Sequence, residues 1–388
     1  MSTTERIDLL PPEPLKAGFA QFLKFYPDSF CLGQLTRVTE TAGPEGASLL
    51  ERLSIAYRHA HESHPQVASG VWQIIDGHKA EIHRAAMAGD LAALGEFLRR
   101  PASSMLFHGF DQPTINSIKH INNVGWLTNY RALSLGSLRR LAEAMGALPM
   151  IYPEGFGIEA DVVSNTVCDT ETILNAIEAE LGVRLAFPNP FIDELGLETP
   201  DGTASYRAIQ SAYQAWRLAQ LANRHRAVDT VHSALEIGGG TGRTAFQAFR
   251  LGIEDYTIVD LPTTSLVQGY FLGMALGPDR ICLEGEPMKE RSVKLVSPPA
   301  LLGGRSWDIA ASFDALVEFS ENDAASYIDF IIANACALLS INRESKSYTV
   351  RSLLKARGLI AQRSPCWTRH GYAEELLTLP LGTTGRRE

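Results

Sequence analysis

The stretch Leu235-Glu236-Ile237-Gly238-Gly239-Gly240-Thr241-Gly242-Arg243 decides the fold. It follows a short apolar run, Ala234 to Ile237, and opens a helical pattern, Thr244 to Leu251, so it reads as strand, loop, helix. Glycines at 238, 240 and 242 permit positive φ and let a ligand lie against bare backbone. The helix behind them presents free N–H groups and a partial positive charge, which suit a phosphate or a carboxylate. Three glycine patterns compete for this loop. The phosphate-cradling G-x-x-x-x-G-K-[S/T] fails, because Ile237 stands where its first glycine belongs and Arg243 where its lysine belongs. The dinucleotide pattern G-x-G-x-x-G fails at Arg243, where its third glycine is due. The pattern E-x-G-x-G-x-G, from Glu236 through Gly238, Gly240 and Gly242, fits throughout.

Downstream, Tyr256 to Val259 reads as the next strand and ends in Asp260, eighteen residues after Gly242. An acid at that strand end is positioned to accept both ribose hydroxyls of a nucleoside. Its bland alternative is to cap the helix after Leu261-Pro262. Further short apolar runs follow at Ile281 to Leu283, Trp307 to Ala311, Leu338 to Ile341, Leu359 to Gln362 and Glu374 to Leu379. Strands alternating with helices imply an open, doubly wound α/β sheet whose ligands sit at the carboxyl ends of its strands.

Upstream the rhythm is helical. Leu49, Leu50, Leu53 and Ala56 fall at helical spacing, Asp90 suits an N-cap for Leu91 to Arg100, and Leu138, Leu141 and Met145 share a stripe before Gly146. Asp169 suits a cap for Thr170 to Leu181 with Gly182 beyond it, and Ile209, Tyr213 and Trp216 share one face of a pattern from Ala204 to Arg224. Pro149 to Gly157 and Pro188 to Gly202 are turn-rich. The expected organisation is a mainly helical region over 1–230 and an α/β domain over 231–388.

The composition is that of an ordinary globular chain: 388 residues, 45% hydrophobic and 20% charged. A net charge of -9 argues against a nucleic-acid partner. No run approaches the roughly 20 apolar residues of a membrane helix, so no membrane partner is expected. Five scattered cysteines (31, 168, 282, 336 and 366) read as reduced thiols, and the opening residues carry no apolar signal core. The expected location is cytoplasmic. His59, His61 and His64, with His78 and His83 downstream, lack a metal-ligand spacing, and no metal is expected there. Nothing in the chain indicates an oligomeric state.

The E-x-G-x-G-x-G loop is the first motif of Rossmann-like S-adenosylmethionine (SAM) methyltransferases. Leu235 to Arg243, Ile258-Val-Asp-Leu-Pro262, Ser312-Phe-Asp-Ala-Leu-Val-Glu318, Leu339-Ser-Ile-Asn-Arg-Glu344 and Arg369-His-Gly-Tyr372 together resemble the sugar O-methyltransferase family. The resemblance runs from about Ala204 to Leu379 and departs at Thr241, where an aromatic residue is expected. It implies a Rossmann-like methyltransferase fold, SAM as cofactor, and methyl transfer to a hydroxyl of a sugar or glycosylated small molecule. By that resemblance Glu236 and Gly238, Gly240 and Gly242 hold the methionine part, and Asp260 the ribose. Glu284 or Glu286, of which Glu286 is preferred, lies near the adenine, and Ser312 flanks the methionine end.

An alcohol nucleophile must lose its proton as it attacks, so a carboxylate near the methyl is wanted. Asp314 and Glu318, after the fourth strand, are the candidates. Each has a bland reading: a solvated helix-face charge for Glu318, an N-cap for Asp314. The pair also suits binding sugar hydroxyls without taking a proton. Tyr206 and Tyr213, on the helix before the α/β half, are candidates for the acceptor pocket, against core packing for Tyr213. His108 is a further conceivable base. The helical region is expected to form the lid and most of the acceptor pocket.

Overall fold

The computed structural model describes residues 2–7, 33–43, 48–63, 71–109, 111–150, 169–224, 233–298 and 305–379. Expectations for Cys31, Cys168, His64 and residues 151–157 lie outside these. Packing divides the chain into two units, and each draws on two stretches of sequence: residues 1–42 with 111–213, and 43–110 with 214–388. The division therefore differs from a single boundary near residue 230.

In the first unit, helices Gln112–Lys119, Val124–Met145 and Thr170–Leu181 start where Asp111, Asn123 and Asp169 accept backbone N–H groups of their first turns. Gly146 and Gly182 end the latter two in the left-handed conformation. Beside them stands a sheet that the helical reading of this half had missed. Strands β1 (Thr3–Ile7), β2 (Leu35–Glu40), β3 (Leu195–Thr199) and β4 (Gly202–Ala204) pair antiparallel in that order. Strand β3 and the first residue of β4 fall in the turn-rich stretch 188–202, and β2 pairs with a strand about 160 residues away, a distance no local pattern reports.

The second unit holds an eight-stranded sheet. Its strands are β5 (Ser233–Ile237), β6 (Asp255–Val259), β7 (Ile281–Cys282), β8 (Val293–Val296), β9 (Ile309–Phe313), β10 (Ala337–Arg343), β11 (Gln362–Pro365) and β12 (Tyr372–Thr378). They lie in the order β11-β12-β10-β9-β5-β6-β8-β7. Pairing is parallel from β7 through to β10, and antiparallel where β12 meets β10 and β11. This is the expected α/β, Rossmann-like sheet of methyltransferase type. Strand order reverses at β5, so the crevice outside the carboxyl ends of β5, β6 and β9 is the switch point where such sheets bind ligands.

Two strands fall elsewhere than expected. Ile281 to Leu283 yields only the two-residue edge strand β7, and the position beside β6 belongs to β8. The run Val293-Lys-Leu-Val296 is short and broken by a charge. Lys294 is buried there because its ammonium pairs with Asp255. Residues 359–361 precede β11, which begins only at Gln362. Both margins of the sheet are blunt, β7 by its length and β11 by full exposure, with Arg363 and Pro365 in it.

Helices Glu321–Asn334 and Val350–Lys355 cover one face over a core that includes Leu235, Val259, Ala310, Ile328 and Leu353. Helix Pro262–Leu276 belongs to the opposite layer and is buried all round, because helix Ser48–Ser63 packs along its outer side. Gly269 and Gly273, one turn apart, allow that approach. A Cβ at Gly269 would lie 2.4 Å from Leu53, and one at Gly273 would lie 2.9 Å from Leu49. The segment 43–110 is thus an integral layer of the α/β unit. Among the described residues no helix is long and apolar enough to cross a membrane.

Candidate functional site

The loop after β5 is fixed by sterics on one side and open on the other. Gly238, Gly240 and Gly242 have φ of 77°, 55° and 83°. A Cβ on Gly238 would come within 2.3 Å of the Ala315 methyl, so only glycine fits. A Cβ on Gly240 meets nothing within 4 Å, so this face of the loop borders free space. Gly238 N–H donates to the Val259 carbonyl at 2.9 Å, tying the loop to the end of β6.

Beneath the loop lies Glu236, 1% exposed, whose Oε2 accepts from the Tyr256 hydroxyl at 3.0 Å. Desolvation pushes its carboxyl up to about 8; the Tyr256 hydrogen bond opposes the rise and the nearby Asp260 charge adds to it. Asp260, at the end of β6, accepts from Leu261 N at 2.8 Å and from Gln268 Nε2 at 2.7 Å. Burial raises it to about 6, with those hydrogen bonds and the Lys79 charge opposing.

Gln268, Lys79 and Asp76 were not foreseen. Gln268 also donates to the Gly240 carbonyl at 3.1 Å, so one side chain braces both loop and acid. Its Oε1 is buried and accepts no hydrogen bond among the described residues. The sequence signal was there, a lone amide side chain among the apolar residues that follow the first turn of the helix. Lys79 is 1% exposed. Burial pushes its ammonium down, while the Asp76 and Asp260 charges pull it back up. Asp76 accepts from the Thr263 hydroxyl at 2.6 Å. No local pattern in residues 71–88 announces this, because the partners meet only when the helical layer docks.

A small cleft, lined by Pro262 two residues beyond Asp260, opens between helix Ser48–Ser63, the start of helix Pro262–Leu276 and the end of β8. Leu53, Ala56, Leu266, Leu283 and Leu295 give it apolar walls, and Glu284, Ser297 and Tyr57 give it polar edges. Glu284 Oε2 accepts from Ser297 N at 2.7 Å, which sets a carboxylate beside a backbone donor. Glu286, the preferred acid, is engaged elsewhere: Arg52 grips it at 2.7 and 2.8 Å, and Leu283 N donates to it at 2.9 Å. Of the two acids, Glu284 is the one that lines the cleft. The reason is the turn at Gly285, φ 82°, which sends the two carboxylates to different partners.

Ser312 ends fully buried in β9, and its hydroxyl accepts from Leu316 N at 3.2 Å. Its side chain orders the turn that follows. Asp314, φ 61°, accepts from Tyr372 Oη at 2.9 Å and from Arg369 Nη2 at 3.1 Å. Glu318 pairs with Arg343, and Lys346 Nζ stands 3.8 Å from it. The two carboxylates thus lie together at the carboxyl edge of β9 and β10, each held by cations. Neither bland reading applies: Asp314 caps no helix, and Glu318 sits in a 3-10 turn, Leu316–Glu318.

Tyr206 and Tyr213 belong to the other unit. Tyr206 N–H donates to the Tyr130 hydroxyl at 3.1 Å, and Tyr213 is buried. Of the histidines, His83 Nδ1 and the Tyr57 hydroxyl are 2.8 Å apart, and the His61 and His83 rings are 4.7 Å apart. The His108 ring meets that of His78 at 6.1 Å. Among the described residues no group of three His, Cys, Asp or Glu is disposed to hold a metal ion.

No family model matches the chain, and no curated protein matches it either. Several solved structures do. An O-methyltransferase family protein from Burkholderia thailandensis is 13% identical over 46% of this chain and 59% of its own, with a TM-score of 0.33. Magnesium protoporphyrin IX methyltransferase from Synechocystis PCC 6803, solved with bound SAM, is 13% identical over 44% of this chain and 81% of its own, with a TM-score of 0.33. The [4+2]-cyclase SpnF is 17% identical over 45% of this chain and 83% of its own, with a TM-score of 0.32. Each likeness spans less than half of this chain, and the chain spans 59% of the first structure's length.

Proposed function

We propose that this chain is a SAM-dependent methyltransferase acting on a hydroxyl of a sugar or glycosylated small molecule. The observation that carries the cofactor reading is the continuity of three features. These are a loop open at Gly240, an acid at Asp260 braced to that loop by Gln268, and an apolar cleft edged by Glu284 and Ser297 N. Loop, acid and cleft fit the amino-acid end, the ribose and the base of an S-adenosyl group in that order. The buried, unbonded Gln268 Oε1 offers a further acceptor to a hydroxyl.

A bound sulfonium supplies an already activated methyl carbon. The chain's part is to align the acceptor hydroxyl with it and to exclude water. Asp260 takes the ribose hydroxyls, and Glu284, held in place by Ser297 N–H, accepts from the edge of the base. Asp314 and Glu318 are placed to orient acceptor hydroxyls, and either carboxylate on release from its cation can take the hydroxyl proton. The helical layer 43–110 walls the nucleoside cleft.

A second reading is favoured by one observation: both carboxylates are already paired with arginines. On that reading the chain binds SAM or a nucleoside without transferring a methyl. A methyltransferase with another oxygen or nitrogen acceptor uses the same cofactor site. Calorimetric titration with S-adenosylhomocysteine tests the shared claim. We expect micromolar binding, weakened about thirtyfold in Asp260→Ala, the loss of about 2 kcal/mol from a charged hydrogen bond. A folded wild type that does not bind would end the reading. Release of S-adenosylhomocysteine from SAM with a sugar acceptor then separates enzyme from binder.

A further inference from the structure

The carboxyl edge of β9 and β10 is cationic in an acidic protein. Arg343, the last residue of β10, Lys346 three residues on, and Arg369 on the turn between β11 and β12 stand against two carboxylates, Asp314 and Glu318. The chain as a whole carries -9. Two of these cations are not used up by the acids beside them. Arg343 gives one N–H to Glu318, but its Nε–H is buried, makes no hydrogen bond among the described residues, and lies 3.9 Å from Asp314. Lys346 Nζ is 3.8 Å from Glu318, beyond hydrogen-bond length. Both side chains are more than a third exposed.

The surroundings are those of a binding edge. Asp314 holds a left-handed backbone, a strain retained where the neighbouring structure over-determines it. Tyr372, opposite Arg343 in the β10–β12 register, stacks under the Arg369 guanidinium at 3.5 Å. The turn that carries Arg369 also exposes Trp367.

Resting on the methyltransferase reading above, we infer that the acceptor carries a negative charge, a carboxylate or a phosphate on its hydroxyl-bearing ring, and that Arg343 and Lys346 receive it. A guanidinium has five N–H donors in a fork that matches either anion, and a lysine adds a mobile point charge. Asp314 and Glu318 keep the cations in place and leave hydroxyl contacts available. A neutral sugar would leave the excess positive charge uncompensated.

The test is calorimetry on protein saturated with S-adenosylhomocysteine. Glucuronate, glucose 1-phosphate and neutral glucose are titrated into wild type, Arg343→Gln and Lys346→Gln, with thermal melts confirming that each variant is folded. At least one anionic sugar should bind about tenfold or more tighter than glucose, and whichever does so identifies carboxylate or phosphate. Both substitutions should reduce that preference, and the exposed Lys346 serves if Arg343→Gln fails to fold. Equal affinity for all three sugars, binding of none, or a preference that survives substitution would overturn the inference. So would a loss of S-adenosylhomocysteine affinity in Arg343→Gln with the sugar preference intact, since the cations would then serve the cofactor. Failure of the wild type to bind S-adenosylhomocysteine would sink the methyltransferase reading itself, a result distinct from any of these.

Discussion

Glu236 and Asp260 sit at the same loop with carboxyls raised by burial to about 8 and about 6. A carboxyl raised from 4.5 to about 8 holds a proton in the folded chain that the unfolded chain has released. Stability therefore falls as pH climbs through that window. Glu236→Gln should gain on wild type, without ligand, by about 3 kcal/mol between pH 6 and pH 9 in denaturant titrations. If the two proteins keep a constant difference across that range, the raised carboxyl is not there. The same proton bears on binding. A cationic ligand favours the carboxylate, so SAM binding near pH 7 should release part of a proton per site in wild type and not in Glu236→Gln, as calorimetry in buffers of different ionisation enthalpy would read. Loop substitutions should separate fold from function. Gly238→Ala meets the Ala315 methyl and should cost several kcal/mol of stability, whereas Gly240→Ala pays only about 1 kcal/mol of left-handed strain yet blocks the ligand face. These glycines were legible in the sequence because positive φ and close approach leave glycine as the fitting residue. Asp76 and Lys79 were not, since nothing local to them refers to Asp260.

At the scale of elements, the joint between helices Ser48–Ser63 and Pro262–Leu276 carries the cleft proposed for the nucleoside, because each helix supplies one of its walls. Gly269→Val forces the two apart at Leu53 and should cost about 1–3 kcal/mol, with weaker S-adenosylhomocysteine binding although residue 269 does not line the cleft. Unchanged affinity in a destabilised variant would detach the helical layer from cofactor binding. Helix ends were readable where a capping side chain or a left-handed glycine marks them, as at Asp90, Asp169 and Gly182. Strands were readable where β-branched and aliphatic runs stand alone, as in β5 and β6. The sequence pattern failed at β8, where a lysine buried by its ion pair with Asp255 interrupts the apolar run. It failed again at β1 to β4, whose partners are set by long-range pairing.

At the scale of the whole molecule, the α/β unit is assembled from two stretches of chain, with residues 111–213 between them building the other unit. A fragment beginning at residue 231 keeps every strand of the large sheet but lacks the layer that covers Gly269 and Gly273. Such a fragment should melt without a cooperative transition, while the intact chain melts cooperatively; a cooperative fragment would show the layer to be dispensable. The resemblance in the sequence, strongest after Ala204, could not reveal this, because the covering helices carry only general amphipathic patterns. The sheet itself has two borders. One is a strand of two residues; the other, β11, is fully exposed and holds a proline and an arginine clamped to Glu344. Proline offers no amide hydrogen, and a tethered charge resists being covered, so neither border can serve as a template for a stranger's strand. These unremarkable residues guard the large sheet against growing into a fibre edge to edge.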